Sequence, residues 1–232
     1  MMLLYASALG LGLVHTLLGP DHYLPFVAMS KAGGWNRRKT LRITVLCGAG
    51  HILGSLVLGL LGVLLGLSVG WVEVVESFRG DLAGWMLLTF GLIFFIWGLR
   101  KAARGRKHSH LHVHDDGTAH THGHSHSHGH LHVHAKEGSA SMTPWVLFTI
   151  FLFGPCEPLI PLLMYPAAKG SIIHVFGVGL VFGVATVTTM TVVVMAGVLG
   201  TARLQWGWME QYSSAIAGFI ILLSGAAVVL GL

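Results

Sequence analysis

Nine acidic residues occur in the chain, and only Asp21 and Glu157 sit well inside apolar stretches. The other seven, Glu73, Glu76, Asp81, Asp115, Asp116, Glu137 and Glu210, fall in loops or near the ends of apolar runs. A charge at membrane depth costs several kcal/mol unless paired or hydrated, so such residues are read first as functional. Each follows a Gly-Pro step and adjoins a second potential ligand: Gly19-Pro20-Asp21-His22 and Gly154-Pro155-Cys156-Glu157. Proline removes a backbone donor and loosens the helical ladder, which frees side chains to line a cavity. Carboxylate, imidazole and thiolate together suit a later first-row divalent cation better than magnesium or calcium, which prefer oxygen donors alone.

His15 precedes His22 by about two helical turns, and His51 lies in the small-residue stretch Gly48-Ala49-Gly50-His51. These two complete the expected metal set of His15, Asp21, His22, His51, Cys156 and Glu157. For His174 the expected role is packing or surface, and Cys47 is read as a small core residue. A second group is unmistakable in composition. His108, His110, His112, His114, His120, His122, His124, His126, His128, His130, His132 and His134 put twelve imidazoles into 27 residues. Such a segment cannot bury a core and is expected to be disordered, binding several metal ions weakly as a buffer.

The surrounding chain must bring these residues into a membrane. The 232 residues are 53% hydrophobic and 10% charged, with a mean hydropathy of +0.72. A soluble domain would carry about 25% charged residues. The pI near 9.5 does not mark a nucleic-acid surface, because the basic residues cluster at the ends of apolar runs. No lysine or arginine precedes the apolar N-terminus, so it reads as a membrane helix and not a cleaved leader. Six spans are expected, at about 3–29, 43–70, 82–99, 145–168, 172–200 and 213–231, all helical because lipid offers the backbone no partners.

Orientation follows from the basic residues. With the N-terminus outside, twelve of fourteen fall on the inner side and only Arg79 and Lys169 outside. That puts the loop 100–143 in the cytoplasm and both termini outside.

A shift of 135 residues aligns Gly19-Pro20 with Gly154-Pro155, Leu24 with Leu159, Gly48 with Gly183, Gly62-Val63 with Gly197-Val198 and Trp71 with Trp206, without a gap. Asp21 then matches Cys156, His22 matches Glu157 and His51 matches Thr186. Each half holds three spans, so the second is inverted relative to the first, a transporter design. The expected fold is an all-α integral membrane protein. It has two inverted three-helix repeats, residues 1–99 and 144–232, separated by the cytoplasmic loop, with the first and fourth helices broken at Gly-Pro. Asp21, His22, Cys156 and Glu157 are expected to converge near the midplane, where two carboxylates offset one dication.

The segment His15 through Pro25 resembles the nickel/cobalt permease and efflux families, including relatives found beside urease genes. Their first helix carries histidine, four residues, then Asp-His. Here five residues, Thr16 to Pro20, intervene. The histidine-rich loop between the third and fourth spans looks like that of the efflux members. The resemblance implies a divalent-metal transporter of the bacterial or archaeal plasma membrane. Its cargo would be nickel or cobalt foremost, with zinc or iron as alternatives, and efflux is favoured over uptake. It implies no enzyme activity, no organic cofactor and no nucleic-acid partner, with the metal ion and the lipid bilayer as partners and a homo-oligomer left open.

The second half, at Gly154-Pro155-Cys156-Glu157-Pro158, is also similar to the cytochrome c biogenesis and disulfide-reductant conductor family. That family's membrane dithiol would here call on Cys47 and Cys156, but the repeat mate of Cys156 is Asp21. Two alternatives therefore stand beside transport. One is a thiol–disulfide conductor, and the other is a metal-sensing or metal-delivery membrane protein that does not transport.

Overall fold

The computed structural model describes residues 1–104, 108–113, 119–124, 142–202 and 207–231. Among the described residues eight α-helices carry the architecture: α1 (Met2–Leu18), α2 (Leu24–Ala32), α3 (Arg37–Leu64), α4 (Val69–Arg104), α5 (Met142–Phe153), α6 (Leu159–Ala168), α7 (Ile172–Ala202) and α8 (Gly207–Val229). Four stretches are each long and apolar enough to cross a membrane: α3, α4, α7 and, within α8, Glu210–Val229. A fifth candidate is the pair Met2–Leu18 and Pro20–Ala32, bent by 83°. The helices α5 and α6 are shorter apolar pieces. Within the histidine-rich loop, β1 (His108–Val113) and β2 (Ala119–His124) pair antiparallel, with His110 opposite His122. That stretch carries a regular backbone pairing which its composition does not suggest. His114, His126, His128, His130, His132 and His134 lie outside the described residues, and so do the side chains of the other loop histidines.

Both Gly-Pro steps interrupt helices. At the first, Gly19 is extended (φ −88°, ψ 92°) and its N–H still reaches the His15 carbonyl at 3.0 Å. Pro20 offers no donor, and Pro20–His22 form one tight turn before α2 begins. At the second, α5 stops at Phe153, and α6 restarts five residues beyond Gly154 with Pro158 as its N-terminal cap. Proline at a helix start fits because the missing N–H would have no partner there.

Residues 71–81 differ from expectation. The charges Glu73, Glu76, Arg79 and Asp81 read as an outer loop, yet all lie on α4. Glu73 and Asp81 are exposed, whereas Glu76 is 1% exposed and pairs with Arg79 one turn later. Partnering across one turn lets the helix continue through charges that a hydropathy reading takes for its end.

Glycines set the close packing. On α4 and α8, Gly84, Gly91, Gly98, Gly218 and Gly225 recur at seven-residue intervals. A Cβ on Gly91 would overlap the backbone of Leu222, one on Gly98 that of Ala215, and one on Gly218 that of Phe95. The two helices therefore run antiparallel in backbone contact, as small residues permit in membranes. The α3–α7 pair is also antiparallel, with Gly48 against Met190 and Gly183 against Ile52. By contrast α1 runs parallel to α7, with Tyr5 beside Gly177 and Gly12 beside Ala185. Likewise α5 runs parallel to α3, with Gly50 beside Phe148 and Gly54 beside the Leu152 carbonyl. Large apolar side chains such as Leu53, Trp85, Ile93, Leu180 and Val184 face outward, as a lipid-exposed surface requires.

Candidate metal centre

Three histidines from separate segments meet inside this bundle. His15 comes from the last turn of α1, His22 from the tight turn after Pro20, and His51 from the middle of the 28-residue α3. One ring nitrogen of each lies within 4.8 Å of the others. The His22 ring sits edge-on to both neighbours, with centroids 4.7 Å from His15 and 5.1 Å from His51. His22 and His51 are each 3% exposed, and His15 is half-buried. Phe151 and Phe182 supply apolar walls.

The hydrogen bonds fix which nitrogen is free. His22 Nδ1 is 3.2 Å from the Gly19 carbonyl and 3.2 Å from Asp21 Oδ1. Both partners only accept, so Nδ1 carries the proton and donates. His51 Nδ1 stands in the same relation to the Phe151 carbonyl at 3.3 Å, so it too donates. The Nε2 lone pairs of His22 and His51 are thereby left available. Nε2 of His15, His22 and His51 are all buried with no hydrogen-bond partner. A buried polar atom without a partner costs about 1–3 kcal/mol, and three in one place call for a ligand. Metal-ligating histidines characteristically donate their second N–H to a carboxylate or backbone carbonyl, as His22 and His51 do here. Around an ion bound at about 2.1 Å, nitrogens stand roughly 3.4 Å apart, so the three rings would close slightly on loading.

Asp21 stands directly behind His22, with a quarter of its side chain open. Asp21 and His51 border a cavity of about 20 Å³, shared with Gly154, Pro155, Gly84 and Val228. That space holds one water or one ion. It runs from His51 and Asp21 to the α4–α8 seam at Gly84 and Val228.

The two Gly-Pro glycines both face this cluster. A Cβ on Gly19 would lie 2.5 Å from His22 Nδ1, and one on Gly154 would lie 2.8 Å from His51 Nδ1. The breaks therefore serve the site through close approach as well as through loosened backbone.

Of the six expected ligands, His15, Asp21, His22 and His51 come together. Cys156 and Glu157 do not join them. Cys156 is fully buried in an apolar cluster with Ile52, Leu159 and Phe182. Glu157 is exposed. The second carboxylate that would neutralise a dication is thus absent from the histidine cluster among the described residues. Cys47 is buried in a different apolar cluster from Cys156, and both are free thiols. His174 accepts or donates at 2.9 Å to the Tyr5 hydroxyl and serves the α1–α7 contact. Thr186, which the 135-residue shift places on His51, is buried with its hydroxyl unpartnered.

Sequence reasoning did not find a second buried polar group. Ser55 donates to Glu76 Oε1 at 2.5 Å, Arg79 pairs with Glu76 Oε2, and both charged groups reach the α5–α6 break. The available signals were the one-turn spacing of Glu76 and Arg79 and the position of Ser55 one turn beyond His51.

No protein-family model, curated protein or solved structure matches the chain.

Proposed function

We propose that the protein is a membrane transporter of divalent transition-metal cations, with nickel and cobalt the foremost cargo and efflux the favoured direction. One observation carries this reading: three imidazoles, two buried and one half-buried, bring a ring nitrogen each within 4.8 Å of the others and leave their buried Nε2 atoms unpartnered, and two of them are locked by their Nδ1 bonds in the ligating tautomer. Neutral imidazole suits nickel, cobalt and zinc. Asp21 would offset part of the charge and borders, with His51, a cavity the size of one ion.

Six spans in two inverted repeats complete the proposal, counting α1–α2 and α5–α6 each as one broken span. Helix starts support it: under the 135-residue shift Leu24 of α2 falls on Leu159 of α6, and Arg37 of α3 falls on Ile172 of α7. Packing supports it too. The Gly12–Ala185 contact maps onto Leu147 and Gly50, and Gly50 packs on the neighbouring Phe148. Cargo held where broken helices of two repeats meet is how such transporters alternate access. The histidine-rich loop would act on the cytoplasmic side as a metal buffer.

The test is purified protein in sealed liposomes, with internal metal followed by a dye for each cation in turn. Nickel or cobalt flux is expected, lost in Asp21→Asn and His22→Ala chains that still insert. A wild-type protein that moves no divalent transition metal would overturn the reading.

A further inference from the structure

The α5–α6 break leaves backbone groups without helical partners, because the last carbonyls of one helix and the first N–H groups of the next have none within the helix. One such carbonyl and one N–H of the connecting stretch are answered from α4. Arg79 Nη2 donates to the Leu152 carbonyl at 2.9 Å, and the Cys156 N–H donates to Glu76 Oε1 at 2.8 Å. A cation thus meets the carbonyl end of α5, the sign that the helix dipole favours, and an anion meets an N–H inside the break. Ser55, one turn from His51 on α3, donates to the same carboxylate oxygen.

The clamped stretch includes the residues that touch His51. Phe151, whose carbonyl accepts from His51 Nδ1, immediately precedes Leu152. Gly154, which packs against His51 Nδ1, lies between Leu152 and Cys156. Burying an ion pair is a poor way to gain stability, since apolar replacements of similar volume are often neutral or better. A pair retained at 1% and 14% side-chain exposure, with both partners bonded to one broken segment, points to placement.

We propose that Glu76 and Arg79 are positioning residues of the metal centre. They hold residues 151–156 so that the Phe151 carbonyl keeps His51 protonated at Nδ1 and aims its Nε2 lone pair at the cargo. This rests on His51 being a ligand, the reading given above.

The experiment uses the full chain in detergent. Nickel binding is measured by calorimetry, and the centre's share is the difference from a His22→Ala, His51→Ala chain that keeps the histidine loop. The His51 tautomer is read separately from ¹⁵N shifts of histidine-labelled protein without metal. In the Glu76→Gln, Arg79→Met chain we expect near wild-type thermal unfolding, roughly tenfold weaker nickel binding and a mixed His51 tautomer. Wild-type affinity with a single Nδ1–H tautomer in that chain overturns the proposal. If that chain fails to insert, Ser55→Ala and Arg79→Lys are read the same way, and wild-type values in both overturn it. A wild-type chain that binds no more nickel than the double-histidine variant sinks the transport reading instead, while the tautomer shifts still decide the clamp.

Discussion

His51 donates from Nδ1 to the carbonyl oxygen of Phe151 at 3.3 Å, a bond that joins the middle of α3 to the last turn of α5. It ties a side chain of the first half of the chain to the backbone break of the second. The state of His51 therefore depends on residues a hundred positions away.

Removing that imidazole is expected to remove the centre. His51→Ala should weaken nickel binding at the centre by about 100-fold, which corresponds to about 2.7 kcal/mol. Titration of full-length protein, corrected for the loop with the double-histidine chain, checks this. Unchanged affinity would show that His51 only packs.

Gly154→Ala tests close approach at the same place. The new Cβ would sit 2.8 Å from His51 Nδ1 and displace the ring. Metal affinity is expected to fall at least tenfold while insertion persists. Gly10→Ala is the control: its Cβ meets nothing within 4 Å, and alanine at that helical position should be neutral or raise stability by about 0.5–1 kcal/mol. Equal behaviour of the two variants would contradict the geometry.

The α4–α8 seam predicts a different phenotype. Gly91→Ala drives a methyl group into the Leu222 backbone, an overpacking expected to cost about 1–3 kcal/mol. The melting temperature in detergent should fall, with nickel affinity retained in the protein that stays folded. A Gly200→Ala chain, with open space at that position, should melt like wild type.

Orientation is checked by labelling. With residues 100–143 in the cytoplasm, Ser109→Cys and Ser139→Cys should resist an impermeant thiol reagent in intact cells and react in inverted vesicles. Labelling from outside would reverse the proposed topology.

For the loop, deletion of 108–134 should leave measurable transport with a changed dependence on metal concentration. Imidazole binds metal only when neutral and titrates near pH ~6.5, so acidification through pH ~6 should release the loop's metal and a return to pH ~7.5 should restore it. Equilibrium dialysis of wild-type and deleted chains at both pH values measures the difference. A deleted chain that inserts but transports nothing would show that the loop belongs to the path itself.

The sequence alone determined the apolar helices, the two Gly-Pro breaks and the two-turn spacing of His15 from Asp21-His22. These depend on local matters: run length, the missing N–H of proline, and a spacing along one short segment. Where the second Gly-Pro step sends its neighbours was not legible. After the first step a single tight turn buries His22; after the second, Cys156 goes into an apolar cluster and Glu157 points outward. Positions 135 residues apart thus carry different side-chain directions, because direction depends on how each helix is rotated against distant neighbours. The tertiary structure likewise decided that His51 completes the histidine cluster and that Glu76 is buried in α4. For Glu76 the reason is partnership: Ser55, Arg79 and the Cys156 N–H together make burial of that carboxylate tolerable, and only folding brings them to it.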